Sequence, residues 1–530
     1  MYDRLKSTMR PICLWVLCLY GLYYTDGFGT VSAPFRSTSL TARLELFRTT
    51  HKNNPPTVIS TIDELNTAFS DKSNNFVSVQ GDTQHIGSPQ SNFVHPVAQL
   101  LHQRRREKSP LTPVDRIRPD RMKVALVIEG GGMRGCVTAG MVTALFVLGL
   151  EDTFDVIYGA SAGTVIGAYF NTRQLPWFGP EIYYDSLSTA GNKFIDTSRM
   201  MRALGLGLLN PTLVKDVLVR RNNGKPVLNL DFLLNDTLQH EKPLNWEKFK
   251  DMQSVQPLKV VASALSSHQG SVVLDMERGS FSTLSELAGC MHASCLLPGI
   301  AGAIVNYKRE SSVDSIFVRE NGVYEKLQAE PLADALIYEP LPFYSAIAEG
   351  ATHILVLRSR PDGVNVLGKA SPLERMISKR FFRRKNKLQH IDEYMKKQLH
   401  KRVYAKAILH LNKASKDKRD LQDVSRPHIM PIAVPPGSPE ITRLEMRRCK
   451  ILDGVRRGFA RTYDALVEDP KGRGRGMDIA MLYFPDEILL YDPLKIPSRD
   501  GTSAFERFVH DQLTNFTLPP KTASLGGLPI

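Results

Sequence analysis

Between Val124 and Phe170 the sequence writes one unit twice: an apolar run, a glycine-marked turn, then apolar residues at helical spacing. The first copy is Val124-Ala-Leu-Val-Ile128, then Glu129-Gly130-Gly131-Gly132-Met133-Arg134-Gly135, then a predicted helix over Val137–Leu150. The second is Phe154-Asp-Val-Ile-Tyr158, then Gly159-Ala160-Ser161-Ala162-Gly163, then a predicted helix over Thr164–Phe170. A strand of unbroken apolar residues is buried on both faces, the condition of a parallel sheet covered by helices. Strand-like runs at Lys259–Ala264 and Gly270–Asp275 continue the alternation. The expected fold class is α/β, a mostly parallel sheet wrapped by helices on both faces.

The two turns carry different chemistry. Gly130, Gly132 and Gly135 satisfy GxGxxG, in which glycines admit close backbone approach and a helix start presents N–H groups to negative charge. Alone, this pattern also fits a dinucleotide site, with Glu151 or Asp152 near the ribose-binding distance. The second turn is GxSxG between strand and helix, the context of a nucleophile elbow. Gly159 and Gly163 remove side chains that would clash in so sharp a turn, and Ser161 projects at its tip. A serine that attacks an ester carbonyl creates an oxyanion, and the N–H groups around Gly131 and Gly132 then become its donors, one such donor being worth roughly 3–4 kcal/mol. Arg134 either adds charge to that loop or ties it down, and the tie is the preferred reading.

A serine nucleophile needs a base. His268, His292 and His353 follow it in the chain order of a triad, but none sits in a recognisable motif. A carboxylate alternative is Asp334, within Pro331-Leu-Ala-Asp334-Ala-Leu-Ile-Tyr-Glu-Pro-Leu-Pro342. Spacing alone does not select it.

The order GGGMRG, GASAG and Asp334 with its downstream EPLP resembles the patatin-like phospholipases, and the bacterial-type subgroup with a C-terminal helical extension in particular. Ala293-Ser-Cys-Leu-Leu-Pro298 is similar to the family's small-residue segment before a proline. Gly350-Ala-Thr-His-Ile-Leu-Val-Leu-Arg-Ser-Arg-Pro361 is similar to its closing strand. Pro372-Leu-Glu-Arg375 and Pro435–Arg443, with a helix to Leu466, are similar to the subgroup. The resemblance covers about residues 123–468. It implies a dyad of Ser161 and Asp334 without histidine, an oxyanion hole on Gly130, Gly131 and Gly132 with Arg134 as loop arginine and Gly135 closing the motif, and no cofactor or metal. The implied activity is hydrolysis of fatty-acyl esters of lipids, of phospholipase or galactolipase type, through an acyl-enzyme. Two features depart from the family: Asp334-Ala335-Leu336 replaces Asp-Gly-Gly or Asp-Gly-Ala, and residues 306–330 form a longer, more charged approach. The first departure supports a second reading, a non-catalytic lipid-binding or scaffold protein on a degraded hydrolase fold. It also leaves Glu339 as a substitute base.

The formal net charge of +14 is local. Residues 375–419 hold 16 Lys/Arg against 3 Asp/Glu, whereas 123–362 is mildly acidic. In the basic stretch Leu388, Ile391, Met395, Leu399 and Val403 fall at three- and four-residue steps, which predicts an amphipathic helix with one packing and one positive face. Packing on the catalytic body is the preferred reading. Contact with an anionic membrane through 375–419 comes second, and nucleic acid is disfavoured because no motif accompanies the charge. Six cysteines without CxxC or zinc-type spacing exclude a disulfide scaffold and a zinc module.

Residues 1–33 combine Arg4, Lys6 and Arg10, the apolar run Pro11–Tyr24 and Val31-Ser32-Ala33. This is the pattern of a cleaved signal, too short for the roughly 20 apolar residues of a span, with an uncleaved anchor as the alternative. The stretch that follows is transit-like, so the expected route is secretory, extending onward to a plastid. The expected organisation is a transit-like and disordered linker over 34–122, with Arg104-Arg105-Arg106 as a solvated or processing-prone loop. A catalytic domain over 123–362, a basic helical extension over 363–470 and a tail over 471–530 follow.

Overall fold

A computed structural model describes residues 57–70, 77–90, 93–199, 226–266, 270–302, 304–306, 316–320, 323–327, 331–368, 372–513 and 516–521. The expected signal and transit-like segments and most of the charged approach 307–330 lie outside the described residues.

The centre is a ten-stranded sheet. In chain order its strands are β1 (Val124–Ile128), β2 (Val156–Ala160), β3 (Leu258–Ala264), β4 (Gly270–Leu274), β5 (Val305–Asn306), β6 (Ile316–Glu320), β7 (Val323–Leu327), β8 (Pro331–Ala333), β9 (His353–Leu357) and β10 (His428–Ile432). The spatial order is β10-β9-β1-β2-β3-β4-β6-β7, and the five strands from β10 to β3 are parallel. Beyond them β4, β6 and β7 run antiparallel, as does β8 against β3. The central sheet is thus mostly parallel with helices on both faces.

Alternation along the strands sorts the core. Val124, Leu126 and Ile128 point into the larger hydrophobic cluster, and Ala125 and Val127 into the other. On the first face lie α1 (Pro96–Arg106), α2 (Gly135–Val147), α3 (Ala162–Asn171), α4 (Leu284–Cys295) and α6 (Arg448–Leu466). On the second lie the short helix Phe343–Ala348 and α5 (Leu399–Ala414), through Tyr404, Ala405, Ile408 and Leu411.

The structure departs from the expected organisation at three places. Residues 77–122 are not a linker. Val79, Ile86, Val97, Leu100 and Leu101 are buried in the two clusters. Arg104 is buried, its guanidinium bonded to Asp120, Asp155 and the carbonyls of Thr153 and Met122. A lone apolar patch of one helical turn gave too little periodicity to reveal α1, and the arginine that reads as solvated is satisfied by partners distant in sequence. Second, the extension over 363–470, mainly helical as expected, also supplies a strand. β10 extends the sheet beside β9, with Pro431 tolerated because the strand is at the edge. Third, the single amphipathic stripe is broken at Gln398, which takes φ +53 and starts α5 in a new direction. Ile391 is buried, but α5 buries Tyr404 and Ile408 rather than extending the stripe through Val403. The basic turn Lys379–Lys385 packs by Phe381 and Phe382 against Leu265, Ala333 and Ile337. The tail continues the fold through α7 (Gly476–Tyr483) and α8 (Ala504–Gln512). Among the described residues no helix is long and apolar enough to cross a membrane.

Candidate active site

Ser161 ends β2 and begins α3 with φ 52 and ψ −127. A non-glycine residue in this region is strained, so the surroundings must impose it. They do so with hydrogen bonds. The Ser161 amide donates to Ser294 Oγ at 2.8 Å, and that hydroxyl donates to the Val261 carbonyl at 2.5 Å. The Ser161 carbonyl accepts from Thr164 N at 2.9 Å and from Thr164 Oγ1 at 2.7 Å. The turn also needs bare backbone: a Cβ at Gly163 would lie 2.2 Å from the Ile128 carbonyl oxygen. A Cβ at Gly159 would lie 2.6 Å from Thr164 Cα.

The glycine loop leaves β1 beside this turn. A Cβ at Gly130 would stand 2.6 Å from that of Ser161, which measures how closely loop and serine approach. Gly131 and Gly132 hold φ +147 and +62. Ser359, just past β9, secures the loop: its hydroxyl lies 2.8 Å from the Gly130 carbonyl, and its amide donates to Glu129 at 2.5 Å. The other Glu129 oxygen accepts from Tyr404 at 2.6 Å. The Met133 amide donates to the Arg443 carbonyl. Among the described residues the Gly131 and Gly132 amides have no acceptor, so two N–H donors remain beside Ser161. Arg134 is buried, with Nε on the Ile441 carbonyl at 3.2 Å and Nη1 3.4 Å from Glu440. Gly135, which opens α2, has its Cα side covered by the Tyr183 hydroxyl.

Sheet topology brings Asp334 to the same place. β2 flanks β3 only as far as Ala160 opposite Val261. When the chain turns away at Ser161, the vacant edge of β3 is taken by β8, which pairs Ala333 with Ser263. Asp334 follows directly and its Oδ2 accepts from Ser161 Oγ at 3.2 Å. Its Oδ1 accepts from Leu336 N at 2.8 Å. Burial raises the carboxyl to about 6, against the lowering effects of the Leu336 amide, the Arg443 charge and the Ser161 hydroxyl. Ala335 opens a short helical turn and is absent from the positive-φ residues, so alanine in place of the family's glycine carries no backbone strain here.

The other candidate bases lie elsewhere. His353 begins β9 at the opposite end of the sheet and stacks on His428 with centroids 4.8 Å apart. His292 faces Asp231 at 3.9 Å, and His268 lies outside the described residues. Glu339 binds the amide and hydroxyl of Ser345. Cys295 adjoins Ser161, but burial and then the Asp334 charge push its thiol up to about 12, so it stays protonated. Trp177 and Phe178 are packed in the core, Trp177 donating to the Tyr483 carbonyl. The sequence signalled Ser294 only within ASCLLP and Ser359 only beside the closing strand. Neither has a local pattern, because each acts on a residue more than a hundred positions away.

This arrangement joins a strained serine, a carboxyl held near 6 and two free amides at the carboxyl ends of parallel strands. Residues 126–347 match the family model described as patatin-like phospholipase. That segment therefore carries a patatin-like phospholipase domain. Among solved structures it is similar to VipD from Legionella pneumophila, with a TM-score of 0.28 and 12% identity over 66% of this chain and 67% of that one. No curated protein matches the chain.

Proposed function

We propose that the protein is a lipid acyl hydrolase that cleaves fatty-acyl esters through Ser161 and Asp334. The observation that carries this reading is the 3.2 Å contact from Ser161 Oγ to an Asp334 carboxylate that, among the described residues, otherwise accepts only from the Leu336 amide. Asp334 takes the hydroxyl proton as Ser161 attacks the ester carbonyl, and the Gly131 and Gly132 amides receive the oxyanion. The alcohol leaves with the proton, and an acyl-enzyme remains. Water, deprotonated by Asp334, then releases the fatty acid. Every step uses side chains and backbone of this chain. Purified Ser161→Ala is expected to lose fatty-acyl ester hydrolysis by several orders of magnitude and to lose labelling by a serine-directed phosphonate probe. Full activity in that variant would sink the proposal and favour a scaffold role.

Delivery belongs to the same proposal: the N-terminal segment directs the protein into the secretory route, and a basic surface meets the membrane that holds the substrate. Arg375, Lys379, Arg380, Arg383, Arg384 and Lys385 are all exposed, beside half-exposed Met376. They surround a turn that packs against Ala333 and Ile337, next to Asp334. Flotation with vesicles containing anionic lipid is expected to recover more protein than flotation with neutral vesicles, the difference fading with salt. Equal recovery at all salt concentrations would remove this surface from the proposal.

A further inference from the structure

The loop that holds the two free amides is buttressed from outside the family-matched segment by Arg443. Its carbonyl accepts the Met133 N–H at 3.0 Å, and a Cβ placed on Gly132 would meet that carbonyl oxygen at 2.7 Å and Arg443 Cβ at 3.6 Å. The Arg443 side chain therefore starts beside the oxyanion loop. The cations around it are matched. Arg134 and Arg360 share Glu440, at 3.4 and 3.6 Å, and Arg360 also lies over the Tyr404 ring. Lys401 pairs with Glu374 at 3.6 Å, and the buried His400 imidazole lies 3.5 Å from the same carboxylate. The Arg443 guanidinium has no hydrogen-bond or ion-pair partner among the described residues, although the residue is half-buried. Asp334 and Arg360 both lie close enough for their charges to act on it.

A partly desolvated guanidinium without a partner is costly, and the cost falls when an anion arrives. The guanidinium fork matches phosphate oxygens in pairs. In a glycerophospholipid bound with its ester carbonyl at Ser161 and the carbonyl oxygen at Gly131 and Gly132, the phosphate is a few bonds from the reacting carbon. A cation rooted beside Gly132 is placed to meet it.

We propose that Arg443, assisted by Arg360, forms a headgroup subsite that takes the phosphate of a glycerophospholipid and selects phosphate-bearing over neutral-headgroup lipids. This rests on the acyl-hydrolase reading above.

The test compares phosphatidylcholine with diacylglycerol of identical acyl chains, each dilute in non-ionic detergent micelles, so that net surface charge does not differ. Arg443→Gln is expected to lower the ratio of kcat/KM for phosphatidylcholine over diacylglycerol about tenfold or more. Arg443→Lys should recover part of the ratio, because a point charge replaces the fork. Arg360→Gln should lower it about threefold, and serves alone if Arg443→Gln does not fold. A ratio unchanged within twofold in both glutamine variants overturns the proposal, whatever happens to the individual rates. Inorganic phosphate provides the second arm. If it inhibits diacylglycerol hydrolysis by wild type but not by Arg443→Gln, while the substrate ratio stays unchanged, the site reads free phosphate and the headgroup proposal is overturned. Ser161→Ala separates the two readings: activity retained on both lipids defeats the acyl-hydrolase mechanism, not the subsite.

Discussion

Burial lifts the Asp334 carboxyl to about 6, and two consequences follow at the scale of the residue. A base must be ionised, so kcat/KM is expected to fall as pH drops through about 6. Asp334→Asn should lower kcat by orders of magnitude while abolishing that limb. Near-normal turnover would move the role to another group. The same shift sets a stability trend. The folded carboxyl binds its proton more tightly than the unfolded one, so between about pH 4 and pH 6 the folded state holds more protons. Stability is lost as pH rises through that window and stays lower at neutral pH. Asp334→Asn should therefore stabilise the protein at pH 7.5 by about 2–3 kcal/mol, a gain that vanishes below about pH 4. Thermal melts at the two pH values check it. Ser294 acts differently, since its hydroxyl satisfies both the Ser161 amide and the Val261 carbonyl. Ser294→Ala leaves both unmatched at a cost of about 1–3 kcal/mol. It is expected to reduce kcat more than it changes KM, because the serine loses its support rather than its chemistry.

At the scale of elements, the helix that starts from the glycine loop is fixed by a second helix at van der Waals distance. A Cβ at Gly140 of α2 would lie 1.9 Å from the Val455 carbonyl oxygen, and one at Gly458 of α6 would lie 1.9 Å from that of Val137. Backbone meets backbone here, so no rotamer change relieves the clash. Gly458→Ala should destabilise by about 1–3 kcal/mol as the helices separate, measured by denaturant unfolding, and should lower activity because α2 carries the loop. An unchanged midpoint would mean the helices are free to shift. The first helix offers a charge counterpart: α1 docks through Arg104, which bridges Asp120 and Asp155 while nearly inaccessible. Among the described residues Arg104→Met leaves Asp120 with only the Met122 amide, while Asp155 keeps Arg118 and the Val124 amide, and the change should cost about 3 kcal/mol. The strand–turn–helix units were legible in sequence because their patterns are local. α1, β10 and the bend at Gln398 were not, because a short helix, an edge strand with proline and a left-handed residue carry little pattern of their own.

For the whole molecule, the tail is a structural component. Trp177 donates to the Tyr483 carbonyl and packs on Tyr483 and Phe505. The buried Glu181 carboxylate accepts the Ala504 and Phe505 amides at the start of α8, and pairs with Lys242 at 2.5 Å. A chain ending at Pro470 is expected to expose the Trp177 face, to bind more hydrophobic dye and to melt at lower temperature than the full chain. Wild-type melting would show the tail to be dispensable. The sequence by itself determined the two glycine turns, the strands feeding them, the serine and the α/β class, since hydrophobic period and turn chemistry act over a few residues. Only the tertiary structure decided how the site closes. Asp334 reaches Ser161 because β8 occupies the edge of β3 that β2 vacates. Ser294, Ser359 and Arg443 converge on the turns from elements far apart in the chain. Spacing along a sequence does not encode such meetings, because they depend on the order and register of strands, which the packing of the whole core selects.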